Sequence, residues 1–104
     1  PESVHFSEVI ALIDQEYRFE PTAFKNGDVD NAADQNNGSC KILAFGKRHS
    51  LSKEATLHCF GDYYRKDVLE NPEGQDHANI RNFIRYGWDG VQFDKDPFLP
   101  FRSH

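Results

Sequence analysis

Apolar residues recur every three or four positions in short runs of this chain, and each run ends near a residue that breaks helices. Such spacing places the apolar side chains on one face of an α-helix. The first run consists of Phe6, Val9, Ile10, Ile13 and Tyr17. It predicts a helix over residues 7–17, with Ser7 as its cap. The residue before proline avoids the helical conformation, so this helix has to end before Pro21.

Three further helices are predicted from the same spacing. The second covers residues 39–49. The third begins after Ser52 and continues through Val68, and the fourth begins after Asp76 and stops at Gly87. Ser and Asp side chains accept hydrogen bonds from the first free N–H groups of a helix. Glycine readily takes the left-handed conformation that ends a helix.

Short strands are predicted where the helical spacing is lost. The pair Asn26-Gly27 is typical of a tight hairpin turn, with Gly27 at positive φ. A two-residue loop at this pair places Lys25 opposite Asp28. Residues 91–93 alternate between apolar and polar side chains, as a strand does. The sequence therefore predicts an α+β fold that is mainly helical, with about four helices. Its small antiparallel sheet combines a hairpin near 23–30 with a short strand near 91–93.

Length and charge limit the classes of function. A chain of 104 residues has the size of one domain, which we assign to residues 1–101. Residues 102–104 resemble the start of an expression tag. The net charge of −5 argues against nucleic acid or an anionic membrane as partner. No apolar run approaches the ~20 residues that cross a bilayer. We therefore expect a cytoplasmic protein.

A first candidate site lies at the predicted start of the second helix, at Ser39, Cys40 and Lys41. The free N–H groups and positive dipole end of a helix attract anions and lower the pKa of a nearby thiol. Cys40 is therefore a candidate nucleophile, and Ser39 and Lys41 are candidate ligand-binding residues. The alternative is that Cys40 packs in the core as a small apolar residue.

A second candidate site lies at the predicted start of the fourth helix. His77 and Arg81 are four residues apart and share one helix face, and Asn79 lies between them. An adjacent carboxylate orients an imidazole, and a guanidinium binds a carboxylate or phosphate. The alternative is structural, because Asp76 is also the expected helix cap. Tyr64, on the predicted third helix, is a further candidate ligand-binding residue.

Metal and cofactor chemistry are not expected. The His and Cys residues show neither zinc-finger nor metalloprotease spacing, and the common nucleotide-binding motifs are missing from the sequence. We therefore predict no metal site and no cofactor.

Several blocks of the chain resemble the HopJ type III effector family. They are Pro21-Thr22-x-Phe24-x-Asn26-Gly27, Asn36-x-Gly38-Ser39-Cys40-Lys41, Phe60-Gly61-x-Tyr63-Tyr64-Arg65, Asp76-His77-x-Asn79-Ile80-Arg81 and Gly87-Trp88. The family name implies a protein that a bacterial secretion apparatus delivers into plant cells. The resemblance implies no enzymatic activity, and relatives outside pathogens suggest a housekeeping role.

Two hypotheses of function remain open at this stage. The first is a non-catalytic binding or interaction protein, or an effector, with an anion-binding polar pocket between the Ser39 and Asp76 helix starts. Its partner would be a small anionic ligand or a protein. The second is a small thiol-dependent enzyme with Cys40 as nucleophile and His77 as base. The sequence leaves the oligomeric state open.

Overall fold

The computed structural model describes residues 5–74 and 76–100, and the side chains of the last two of these are not described. The predicted tag remnant lies outside the described residues. The helices are α1 (Phe6–Glu16), α2 (Asn37–Arg48), α3 (Lys53–His58) and α4 (Ala78–Tyr86), with a π-helical segment (Tyr63–Val68) and a 3-10 turn (Gly87–Gly90). The strands are β1 (Tyr17–Phe19), β2 (Phe24–Asn26), β3 (Val29–Asn31), β4 (Val91–Phe93) and β5 (Phe98–Pro100). The predicted mainly helical α+β class is confirmed.

The predicted hairpin is formed by β2 and β3, and β4 pairs with the other side of β2. Gly27 has φ +61°, as predicted. The predicted register is wrong, because Gly27 and Asp28 form the loop and Lys25 lies opposite Asp30. A two-residue loop with positive φ at its first position alone is the pattern of a type II′ turn. Asn26 stays in the strand because its fully buried amide bonds to α4.

A second sheet, which the sequence did not predict, pairs β1 with β5 in antiparallel register. The rings of Tyr17 and Phe98 stack across this pair with their centroids 4.5 Å apart. Tyr17 is therefore extended, and the first helix ends one residue earlier than predicted. The helix also begins before Ser7, after His5, whose backbone N–H donates to Glu8.

The predicted third helix is interrupted at Gly61. Ser52 caps α3 as predicted, since its hydroxyl accepts from the Ala55 N–H at 3.0 Å. Gly61 then takes φ +64°, and a Cβ there would lie 2.7 Å from the backbone nitrogen of Phe6. The start of α1 thus passes too close for any other residue. The chain resumes as the π-helical segment, which carries Tyr63 to Val68.

The core lies between the helices and the inner face of the three-stranded sheet. Its most deeply buried apolar side chains are Ile13, Ile42, Leu43, Phe60 and Phe83. Gly87 ends α4 at φ +64°, as predicted. Trp88 follows and is partly buried, with its indole N–H donating to the Leu51 carbonyl at 3.0 Å. No helix among the described residues is long and apolar enough to cross a membrane.

Candidate functional site

The starts of α2 and α4 open onto one cleft of about 520 Å³. The two helix starts therefore approach each other, as the sequence predicted. Backbone and polar side chains form one wall, and two exposed or half-buried rings form the other. The residues that line the cleft include Phe6, Asn36, Gly38, Ser39, Tyr63, His77, Ala78 and Asn79.

Both helices begin without a side-chain cap. Their N-cap residues, Asn36 and His77, take the left-handed conformation, with φ 53° and 51°, and neither side chain bonds to its own helix. The first intrahelical bonds run from the Cys40 and Arg81 amides to the carbonyls of these two N-cap residues. The three amides before each bond are therefore not used by the helix. A left-handed residue followed by helical ones turns successive N–H groups toward one point, which is a geometry that binds anions.

A network of four asparagine side chains fixes these two helix starts against the hairpin. The Asn36 amide donates to Asn31 at 2.7 Å, and Asn79 donates to the same oxygen at 3.0 Å. The Asn26 amide donates to the backbone carbonyl and side-chain oxygen of Asn79, at 2.7 and 3.0 Å. Asn26 is fully buried, and Asn31 and Asn79 nearly so. Buried amides that hydrogen-bond to one another hold their elements in one arrangement.

His77 contacts an acid that the sequence reasoning did not select. Its Nε2 lies 3.0 Å from Asp67 Oδ2 and 3.8 Å from Asp76 Oδ2. The Tyr63 ring lies 5.1 Å from the imidazole and is tilted by 36°. Tyr63 and Asp67 both come from the π-helical segment, and their spacing of four residues was the signal that they share a side. Sequence adjacency predicts Asp76 as the acid beside His77, whereas Asp67 is the nearer carboxylate.

The expected cap of α4 is used elsewhere. Asp76 does not cap the helix and instead accepts from Arg81 at 2.7 Å. The same guanidinium donates to the backbone carbonyls of Asp76 and Asn71, at 2.6 and 2.8 Å. Arg81 thus holds the loop before α4 closed, and it does not line the cleft.

Cys40 lies in the core and does not line the cleft. Only 1 % of its surface is exposed. Burial raises the pKa of its thiol to about 11, against the lowering expected from the helix start and Lys41. The side chain of the fourth residue of α2 points into the apolar interior, where desolvation outweighs the helix dipole.

Lys41 and Tyr64 also lie away from the cleft lining. The Lys41 ammonium pairs with Asp14 at 2.8 Å and lies 5.0 Å from the ring centroid of Phe19. Tyr64 is buried and meets the imidazole of His58 edge to face. Of the sequence-selected residues, the structure brings together Ser39, His77 and Asn79 at the cleft. Among the residues described, no group of three or more His, Cys, Asp or Glu could hold a metal ion.

The model of the family described as HopJ type III effector protein matches residues 1–98 of the chain. The chain belongs to the HopJ family. The chain is similar to a solved structure, the crystal structure of the unknown function protein VPA0580. The two chains share 52% sequence identity and superpose with a TM-score of 0.94. The match covers 96% of this chain and 83% of that one. No curated protein matches at a significant level.

The HopJ resemblance coincides with the cleft at three of its blocks, and the block that begins at Phe60 supplies the rings of Phe60 and Tyr63. Asn36, Gly38 and Ser39 belong to one block, and His77 and Asn79 belong to another. The side chains of Cys40, Lys41 and Arg81, in the same blocks, make the core and ion-pair contacts described above. The HopJ blocks thus contain most of the residues that line the cleft, together with side chains that hold its two helices in place.

Proposed function

We propose that this HopJ protein is a non-catalytic binding protein that holds a small anionic ligand between the starts of α2 and α4. The observation that carries the proposal is the convergence of two helix N-termini without side-chain caps on a single cleft. Each terminus offers free N–H groups and the positive end of a helix dipole. In a chain of net charge −5, this is a place where an anion gains stabilisation.

The aromatic wall of the cleft suggests that the ligand also has an apolar or planar part. Phe6 and Tyr63 meet edge to face with their centroids 5.1 Å apart, and Tyr63 is 43 % exposed. An exposed ring beside a polar wall favours a ligand with both an apolar or planar part and a charged part. We therefore expect an organic acid or phosphate ester to bind more tightly than a bare inorganic anion.

The proposal assigns no chemistry to the thiol. A thiol-dependent enzyme needs the Cys40 sulfur at the ligand, and Cys40 is a core residue whose thiolate is disfavoured by burial. His77 remains in the proposal as part of the cleft wall, with its imidazole held by Asp67. Its role here is to shape the cleft beside the α4 amides.

We place the function in the cytoplasm, and the family name favours delivery into a host cell as the alternative. Fractionation of a producing strain, with and without a working secretion apparatus, separates the two. Protein that stays with the cells in both strains supports the cytoplasmic role. Protein that leaves only the strain with a working apparatus makes it an effector.

The binding proposal is tested by a carboxylate tethered inside the cleft. Ser39 is the third helical residue of α2 and lines the cleft, so Ser39→Asp places its charge where the ligand anion would lie. Ser39→Asn is the matched control of nearly equal size without the charge. Backbone amide shifts in a titration with inorganic phosphate, and then with phenyl phosphate, measure the binding.

We expect the Gly38, Ser39 and Ala78 amides to shift in the wild type and in Ser39→Asn, with phenyl phosphate the tighter ligand. We expect no shift in Ser39→Asp. The proposal is wrong if millimolar phenyl phosphate leaves these amides unmoved in the wild type. It is also wrong if Ser39→Asp binds as well as Ser39→Asn.

A further inference from the structure

The outer edge of β4 carries backbone groups that no strand of the described chain pairs. The sheet order is β3-β2-β4, so β4 has a neighbour on one side only. Two bonds flank its pairing with β2, from the Asp94 amide to the Ala23 carbonyl and from the Gly27 amide to the Gly90 carbonyl. In an antiparallel ladder the bonded pairs alternate. The peptide groups of Val91 and Phe93 therefore point away from β2. The Val91 N–H donates to the Trp88 carbonyl, so the outer edge offers the Val91 carbonyl together with the N–H and carbonyl of Phe93.

A groove follows this edge. Two hollows of about 380 and 330 Å³ lie between β4 and the last turns of α2. Phe93 lines the first, Val91 and Trp88 line the second, and Lys47 lines both. The groove thus extends along the whole of β4, at the side where a further strand would add.

Positive charge surrounds the groove in a chain that is acidic as a whole. Lys47 is exposed, and its ammonium lies 5.6 Å from the ring centroid of Phe93. Arg48 pairs with Asp96 at 3.2 Å, with both side chains largely exposed. Lys95 pairs with Glu20, again with both partners about half exposed. Exposed ion pairs contribute little to stability, so a carboxylate from outside can replace either acid at small cost.

We propose that this groove is a docking site for an extended acidic peptide segment of a partner protein, which adds to β4 as a fourth strand. Backbone bonds to the N–H and carbonyl of Phe93 and to the carbonyl of Val91 give the segment its direction and register, and alternate side chains face the groove. Acidic side chains of the segment meet Lys47 and its two basic neighbours. This inference is independent of the anion cleft, which lies at the other end of α2.

A peptide fits this surface better than a small anion does. Arg48 and Lys95 each pair with a carboxylate, whereas the contact described for Lys47 is with the Phe93 ring. The positive charge alone is therefore a weak site for a free anion. The unpaired peptide groups of β4, by contrast, require a partner with N–H and C=O groups of its own. An extended chain supplies both the backbone groups and the charge.

Trp88 supplies the readout, because it lines the groove and is the one tryptophan of the chain. The probe is a short, blocked peptide of alternating Glu and Val. We expect its titration to change the indole fluorescence saturably and to slow hydrogen exchange at the Phe93 amide. Replacing every Glu by Gln weakens binding about tenfold, because the charge complementarity is lost. Methylating the backbone nitrogens of the probe abolishes binding, because the added strand cannot pair.

Two variants test whether the acidic peptide binds at Lys47. Lys47→Gln weakens binding of the acidic peptide about threefold, the scale of one exposed ion pair. Lys66→Gln, at an exposed lysine of the π-helical segment, leaves binding of the acidic peptide unchanged. The proposal is overturned if the acidic peptide causes no change, or if the methylated peptide binds equally well. It is also overturned if inorganic phosphate gives the same fluorescence change, or if the change reflects dimerisation of the protein itself.

Discussion

Asn31 and Asn79 exchange two hydrogen bonds between their side-chain amides. The Asn79 nitrogen donates to the Asn31 oxygen at 3.0 Å, and the Asn31 nitrogen donates to the Asn79 oxygen at 3.1 Å. The pair joins the end of the hairpin to the first turn of α4, and both residues are more than nine-tenths buried. The wall of the cleft is therefore held by buried amides as well as by apolar packing.

The first prediction concerns this pair. Asn79→Ala removes one partner and leaves buried amide groups of Asn31 and Asn26 with fewer hydrogen bonds. Unsatisfied buried polar groups cost ~1–3 kcal/mol each, so we expect a loss of about 2–4 kcal/mol in the free energy of unfolding. Chemical denaturation measures it. Asn71→Ala, at an exposed turn, is the control and is expected to cost less than about 0.5 kcal/mol.

The second prediction concerns thiol reactivity. Because burial raises the Cys40 pKa to about 11, its thiolate fraction near neutral pH is far below that of free cysteine. We expect iodoacetamide to label native Cys40 more slowly than the half-buried Cys59, and both more slowly than free cysteine. Denaturant is expected to make the two rates equal. Rapid native labelling of Cys40 would restore the thiol-dependent hypothesis.

The third prediction concerns acid stability. The hydrogen bond from Arg81 holds the pKa of Asp76 below its ordinary value of 3.8. A group with a lowered folded-state pKa stabilises the fold above its unfolded pKa, and the contribution is lost as pH falls through the folded value. We therefore expect Asp76→Asn to lower stability near neutral pH and to match the wild type in strong acid. Denaturation at a series of pH values measures this convergence.

Glu70→Gln is the control for that series, since Glu70 is exposed. It is expected to follow the wild type at every pH. A constant gap between Asp76→Asn and the wild type, from neutral pH down to strong acid, would show that the carboxylate contributes through packing and not through its charge.

The elements that the sequence predicted well are those with local causes. The α2 and α4 helices follow from apolar spacing, and Gly87 ends α4 because a left-handed residue is needed there. The β1–β5 sheet was missed because its three-residue strands come from opposite ends of the described chain. Long-range contacts such as the packing of Tyr17 on Phe98 bring them together, and no local pattern reports such a contact.

The approach of two helix starts was predicted from the sequence, but the side chains that line the cleft between them differ from those predicted. Two helix starts were expected to meet, and they do. The side chains differ because each preferred residue has a stronger competing partner. Asp76 is the better cap by residue type, but Arg81 takes its carboxylate. His77 then begins the helix in a left-handed conformation, with Asp67 on its ring. Such competition depends on tertiary contacts, which a single sequence does not show.

The last prediction concerns Trp88, which links α4 to the end of α2. Its ring meets Phe83 edge to face at 4.8 Å, and its indole N–H donates to Leu51 in the turn after α2. A Cβ on Gly46 would lie 3.1 Å from the far edge of the indole, so α2 also packs closely on this ring. Removing the ring leaves a space beside the Phe83 ring, the Leu51 carbonyl and Gly46. We expect Trp88→Ala to cost about 3 kcal/mol, at the lower end for aromatic deletions because the ring is only partly buried.

Trp88→Phe separates packing from hydrogen bonding at the same position. It keeps an aromatic ring against Phe83 but leaves the Leu51 carbonyl without its donor, so we expect a loss of about 1–2 kcal/mol. Both variants lack the tryptophan, so far-ultraviolet circular dichroism has to follow their unfolding in denaturant. A loss under about 1 kcal/mol for Trp88→Ala would mean that the ring packs loosely. Trp88 would then belong to the groove along β4 more than to the core, and its fluorescence would report peptide binding all the more directly.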